Sequence, residues 1–204
     1  IQTVVENLDF DCEYIFIVRS EHLEQYSGLI DTLDRITNGK FKYIPVESLT
    51  EGAACTALLA EEYINNDEDL LIANSDQYIE YESQNFNILK NLTSVDAMVF
   101  TFNAVHPKWS FVKTNSRGFV VEVAEKRPIS NIATCGIYWY RKGSDFVRYA
   151  NQMIEKDIRV NNEFYIAPVY NELIDAGKTL VPFYVHEMWG IGTPEDLRRF
   201  LKEK

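Results

Sequence analysis

Leu70-Leu71-Ile72-Ala73-Asn74-Ser75-Asp76-Gln77 is a short apolar run that ends on small polar residues, and Tyr78-Ile79 follows it. Runs of this length, bounded by acidic and turn residues, read as buried parallel strands. Open α/β sheets hold their ligands at the carboxyl ends of such strands. An aspartate there, flanked by Asn74 and Ser75, offers the oxygen ligands that hold a divalent cation against a phosphate. The same residues also suit a plain strand-to-loop turn, with Asn, Ser and Asp bonding their own backbone. Both readings place a strand at residues 70–73.

Working outward, strand-like and helix-like segments alternate. Residues 14–18 are continuously apolar, as a central parallel strand requires. A helix with Ser20 as N-cap is expected from there to about Thr37, ended by Asn38-Gly39. Further strands are expected at 41–45 and 97–102, with helices at 53–64 and 84–92. The rhythm then changes. Residues 109–113 and 119–125 alternate as short strands around a turn that ends on Gly118, and 133–140 is another strand. Helices at 145–156 and 163–176 and a strand at 180–185 follow. The last helix is capped by Thr193, with Pro194 at its first position and acidic residues in its first turn. The expectation is a single α/β domain over residues 1–204 with a parallel core and an antiparallel insertion at about 105–142. Ile1 to Leu8 read as an amphipathic helix already under way, so a segment preceding Ile1 is expected.

Hydrophobic residues make up 46% of the 204, with 12 Phe and 12 Tyr, which is enough for one ordered core. The net charge of −11 argues against general binding to nucleic acid or to an anionic membrane. An acidic chain that binds phosphate needs local cations or a metal, which gives weight to any Lys or Arg near a site. No stretch is long and apolar enough to span a bilayer, and no signal peptide is visible. Cys12, Cys55 and Cys135 lack CxxC spacing and read as reduced core thiols of a cytoplasmic protein.

Several constellations could carry chemistry. Thr50-Glu51-Gly52-Ala53-Ala54-Cys55-Thr56 joins a strand exit to a helix start, where small residues admit a planar or anionic ligand or simply pack on the sheet. Glu125-Lys126 ends the second hairpin strand, a pair suited to sugar hydroxyls and a phosphate, or to a solvated edge. Glu163 opens a helix, where it complements the dipole or accepts a bond from a hydroxyl. Gly190 and Gly192 precede the last helix cap. His186-Glu187 stands beside them, and Trp109 and Trp139 read as core.

In this order the segments resemble the sugar-1-phosphate nucleotidylyltransferases, which have a Rossmann-like, GT-A-type fold: a mostly parallel sheet flanked by helices. The resemblance rests on residues 50–56, Asn74-Ser75-Asp76-Gln77, Glu125-Lys126, Gly136-Ile137-Tyr138, Asn162-Glu163 and Gly192-Thr193-Pro194-Glu195-Asp196-Leu197. It implies condensation of a nucleoside triphosphate with a sugar 1-phosphate, yielding a nucleotide sugar and pyrophosphate. It also implies a role for each matching position. Gly52 and Ala53, with Asn74 and Ser75, would receive the nucleotide, and Asp76 would bind Mg2+. Glu125 and Lys126 would hold the sugar and its phosphate, Lys126 with a catalytic part, while Gly136 and Glu163 would border the sugar. The implied partners are the two substrates, with no nucleic acid and no membrane; a homo-oligomer is compatible with this.

Two departures stand out. The family begins with a Gly-rich loop bearing an Arg, then a Lys, which grip the triphosphate. No such segment precedes Ile1, so the chain as written is not expected to turn over. Gly190 occupies the usual place of a second metal-binding carboxylate, which leaves Asp76 with water and phosphate ligands or with Glu187 as a substitute. A GT-A glycosyltransferase and a non-catalytic nucleotide-sugar-binding protein are the alternative readings.

Overall fold

In the computed structural model, which describes residues 1–204, the strands form one six-stranded sheet and two pairs. β1 (Tyr14–Arg19) and β2 (Phe41–Val46) pair in parallel, Tyr14 opposite Phe41. The large sheet runs β7 (Val120–Ala124), β6 (Phe111–Thr114), β8 (Ile132–Tyr140), β5 (Ala97–Asn103), β9 (Leu180–Tyr184). β3 (Leu70–Ala73) pairs with β8 as well. Tyr138 faces both Val99 and Ile72, and Ala133 faces both Phe102 and Phe111. A strand has two edges, so β5 takes one edge of β8, and β3 and β6 lie end to end along the other.

Alternation along these strands fills two cores, because successive side chains leave opposite faces. Tyr138 and Tyr140 of β8, with Ala97 and Val99 of β5, face one cluster that includes Phe146, Tyr170 and Leu173. These last three come from α7 (Gly143–Glu155) and α8 (Val169–Asp175). Ile137, Trp139, Met98 and Phe100 face the other cluster. There they meet Val4 and Leu8 of α1 (Gln2–Leu8) and Phe86 of α6 (Ser83–Lys90). Trp139 is fully buried, as expected, and its indole N–H donates to Asp69. No helix is long and apolar enough to cross a membrane.

The α/β architecture with helices over a central sheet matches expectation, but the sheet is not mostly parallel. Only β1–β2 and β5–β9 pair in parallel. The long return strand β8 runs through the middle and pairs antiparallel with β3, β5 and β6. The run at 70–73 is therefore an antiparallel neighbour, buried by its place in the sheet and not by a parallel register.

Other boundaries shift for local reasons. The helix expected from Ser20 splits into α2 (Ser20–Gln25) and α3 (Leu29–Thr37) around Gly28, a poor helix interior residue; Arg19, not Ser20, holds the N-cap position. The next one splits into α4 (Ala53–Leu58) and α5 (Glu61–Ile64), where Leu59 and Ala60 tighten into three-residue bonds. The helix expected at 163 begins only at Val169, after Pro168, because Asn161 and Asn162 sit at φ 50° and 65° in a turn. Two strands escaped the sequence reading: β4 (Gln77–Glu80) and β10 (Glu187–Gly190), an antiparallel pair. The closing helix α9 (Pro194–Glu203) has Thr193 as its cap, accepting from the Asp196 N–H at 3.1 Å. All three cysteines are free; Cys135 is buried, but Cys12 is exposed because it lies before β1.

Candidate active site

Asn74, Ser75 and Asp76 leave the end of β3 and are fixed from two sides. The Asn74 N–H donates to the Gly136 carbonyl at 3.0 Å, and the Ile191 N–H donates to the Asp76 carbonyl at 2.7 Å. The backbone is held by the large sheet and by the β10 exit, which leaves the Asp76 carboxylate exposed. Its Oδ2 lies 2.5 Å from where a β-carbon on Gly192 would stand. The glycine of the Gly192-Thr193-Pro194 segment thus makes room for the carboxylate.

Gly136 interrupts β8 at φ 74°. The space its side chain would take is filled by the Asn74 amide nitrogen and the Gln77 amide oxygen, 2.4 and 2.5 Å from an ideal β-carbon. A larger residue would push Asn74 off the end of β3. The pairing of β5 with β8 shifts between Val99 and Thr101, so β8 bulges at this point.

Gly52, at φ 130°, is required for a reason the sequence did not reveal. A β-carbon there would lie 2.5 Å from both the nitrogen and the oxygen of Phe164. The Phe164 N–H donates to Glu51 at 2.8 Å, and the Ala54 N–H donates to Phe164 at 2.9 Å. The close approach at Gly52 is made by the protein's own backbone; Ala53 is left exposed beside it. Ala53, Asn74, Ser75 and Asp76 line one cavity of about 1950 Å³.

A second polar group gathers around the end of β7. Glu125 accepts a bond from the Ser110 hydroxyl, and burial pushes its carboxyl above the usual range, with that bond and nearby Lys126 opposing. Ser110 also accepts from the Thr134 N–H at 2.8 Å, two residues before Gly136, which ties Glu125 to β8. Lys126 is held at φ 52° and donates to the Tyr165 hydroxyl at 2.5 Å, its ammonium 4.6 Å from the centre of that ring. This bond raises the Lys126 pKa, with smaller help from Glu125 and Glu163, so the side chain stays a cation. The nearby Glu163 carboxylate raises the pKa of the Tyr165 hydroxyl, with Lys126 opposing. Glu125, Lys126, Glu163 and Tyr165 thus form one polar cluster.

Arg159 braces the loop. Its guanidinium stacks 3.9 Å from the Phe164 ring centre and pairs with Glu51 at 2.7 Å. The loop that carries Glu163 is thereby fastened to the loop that carries Gly52 and Ala53. Ser110, Arg159 and Tyr165 were all missed in the sequence. Only Tyr165 carried a signal, an aromatic hydroxyl two residues past Glu163.

Glu187 does not substitute for the second carboxylate. The register pairs Glu187 with Glu80 and Gly190 with Gln77, so Glu187 sits at the far end of β10 from Asp76, about 10 Å along the strand. It is held there by Lys204 at 2.7 Å. His186 is exposed and faces Glu82 at 3.5 Å. No group of three or more His, Cys, Asp or Glu side chains is arranged to hold a metal. A lone exposed carboxylate still fits Mg2+, which keeps several waters and takes one or two carboxylates plus substrate phosphates.

The profile of the family described as nucleotidyl transferase matches residues 1–203. Among solved structures, a nucleoside-diphosphate-sugar pyrophosphorylase from Vibrio cholerae RC9 superposes with a TM-score of 0.79 at 22% identity, over 97% of this chain and 84% of that one. A UDP-glucose pyrophosphorylase complexed with UDP-glucose gives 0.77 at 16% identity, over 100% and 86%. A putative glucose-1-phosphate thymidylyltransferase from Bacillus anthracis gives 0.70 at 18% identity, over 91% and 73%. At these identities the likeness is one of fold. A sequence comparison with curated proteins gave no match.

Proposed function

The chain belongs to the nucleotidyl transferase family, and from that premise we propose that it serves the transfer of a nucleotidyl group from a nucleoside triphosphate to a sugar 1-phosphate. The observation that carries this reading is that two unlike polar groups are both tied to β8, one through Asn74 and Gly136 and the other through Ser110 and Thr134. One is a backbone-fixed Asn74-Ser75-Asp76 beside Ala53; the other is a cation, Lys126, set among Glu125, Glu163 and Tyr165. The first suits a nucleotide with its metal. The second suits a ligand that carries both hydroxyls and a phosphate.

The chemistry asks little of any base. A phosphate monoester has a second pKa of about 6, so the attacking oxygen is already ionised at neutral pH. That oxygen forms a bond to the α-phosphorus, the bond from the α-phosphorus to the bridging oxygen breaks, and pyrophosphate leaves. Rate then depends on alignment and on neutralising charge. Mg2+, held by Asp76 with water and phosphate oxygens, would supply part of that neutralisation. Lys126 orients the sugar phosphate, and Tyr165 fixes its ammonium. Glu125 and Glu163 accept hydroxyl bonds that place the ring, while Gly136 leaves the space that the Asn74 amide fills. Soluble nucleotide substrates are consistent with a cytoplasmic site of action and with a role in making glycan precursors.

The test is pyrophosphate release by the full-length natural protein, with Mg2+, four nucleoside triphosphates and a panel of sugar 1-phosphates. Release that needs one member of each set supports the proposal. No release above background with any combination removes it.

A further inference from the structure

β7 closes one end of the large sheet and pairs with β6 alone, Val123 opposite Val112. In an antiparallel pair, successive residues alternately exchange both backbone bonds with the partner and turn both outward. Val123 is of the second kind. Its N–H donates to the Asn171 Oδ1 at 2.9 Å, and its carbonyl accepts from the Asn171 Nδ2 at 2.8 Å. A carboxamide offers a donor and an acceptor as a peptide group does, so Asn171 stands in for one residue of a neighbouring strand. Val123 is only 3% exposed, so its backbone groups depend on a protein partner.

Asn171 is itself held from both sides. It lies in α8 between Tyr170, whose hydroxyl donates to the Met98 carbonyl of β5 at 2.8 Å, and Glu172. Glu172 is buried and accepts from Gln152 and Lys156, each at 2.6 Å. Gln152 belongs to α7, and Lys156 follows its last turn. A buried carboxylate bonded in this way holds its helix in one place. Lys126 stands three residues past Val123, and Tyr165 six residues before Asn171. Two ties therefore join the same two stretches of chain, the carboxamide at Val123 and the Lys126–Tyr165 bond at 2.5 Å. The first grips buried backbone, whereas the second joins side chains at the surface, so the first sets the geometry of the second.

We propose that Asn171 is a positioning residue, fixing β7 against α8 so that the Lys126 ammonium meets Tyr165. It touches no substrate and acts through Lys126. Without the carboxamide, β7 drifts from α8 and the ammonium leaves the ring. The effect on the reaction rests on the proposed nucleotidyl transfer; the effect on geometry does not. Asn7 of α1 supplies a matched control. It makes the same two bonds to buried Ile79 of β4, at 2.8 and 2.9 Å, on a different strand pair.

The test compares Asn171→Leu with Asn7→Leu in the natural full-length protein. Leucine resembles asparagine in shape and removes both bonding groups. NMR reads the NOE between the Lys126 ε-methylene protons and the Tyr165 ring, close because the ammonium lies 4.6 Å from the ring centre. Wild type and Asn7→Leu show this NOE, and Asn171→Leu loses it. In the same variants, Asn171→Leu raises KM for the sugar 1-phosphate by about tenfold with kcat within about twofold, while Asn7→Leu changes neither. An NOE kept in Asn171→Leu, or lost in both variants alike, overturns the proposal. If the wild type itself releases no pyrophosphate, the functional reading fails and the NOE alone decides. Should Asn171→Leu fail to fold, Asn171→Gln replaces it, since one more methylene shifts the carboxamide without removing its bonding groups. Loss of the NOE in that variant upholds the proposal, and its retention overturns it.

Discussion

The α-carbon of Gly52 lies flat against the backbone of Phe164, so close that a β-carbon would stand 2.5 Å from its nitrogen and its oxygen. Backbone on both sides leaves nothing flexible to yield. Gly52→Ala is expected to cost about 2–4 kcal/mol, through the positive φ and the overlap together. Urea denaturation of the purified variant measures this. A loss under about 0.5 kcal/mol, the scale of an ordinary surface substitution, would show that the two loops are not locked.

Gly136 makes the contrasting case. Its neighbours, the Asn74 and Gln77 amides, are side chains that can move. Gly136→Ala is expected to cost about 1–2 kcal/mol, mostly for φ, while displacing Asn74. Nucleotide binding should therefore fall further than stability does. Calorimetric titration beside thermal unfolding separates the two, and equal losses would deny Asn74 its place in the site.

Lys126 and Tyr165 act as a unit, the hydroxyl holding the ammonium at 2.5 Å. Tyr165→Phe in the full-length protein is expected to raise KM for the sugar phosphate by about tenfold, with kcat less affected. Lys126→Ala should raise it more. Unchanged KM in both variants would place the phosphate elsewhere.

Burial holds the Glu125 carboxyl above its ordinary value of 4.5. Above pH 4.5 the folded state therefore binds this proton more tightly than the unfolded state, and stability falls as pH rises towards the folded pKa. Glu125→Gln removes the penalty. The variant's melting temperature should gain on the wild type as pH rises from 4.5 to 7, while sugar-phosphate affinity drops. A constant difference across that range would mean that Glu125 titrates normally.

Much of this was legible in the sequence wherever local chemistry decides. The bounds of the strand at 70–73, the cap at Thr193 and the stop at Asn38-Gly39 follow from apolar runs and turn residues, and they stand as read. Strand direction was not legible, because it depends on which edge of β8 a strand meets. β4 and β10 are too short and mixed to signal themselves, and only their mutual pairing makes them strands. The position of Asp76 could be inferred from the order of motifs. The partners of Glu125 and Lys126 could not, since Ser110 and Tyr165 lie 15 and 39 residues away along the chain.

The central claim is that Asp76 couples a divalent cation to nucleotidyl transfer. Its carboxylate is exposed and its backbone is fixed by Gly136 and Ile191, so Asp76→Asn should leave the fold intact. The direct measurement is the Mg2+ dependence of pyrophosphate release by the full-length protein and by its Asp76→Asn variant. The account predicts that the variant keeps its melting temperature and loses Mg2+-dependent release by about a hundredfold or more. A variant that releases pyrophosphate at the wild-type rate over the same Mg2+ range would contradict it.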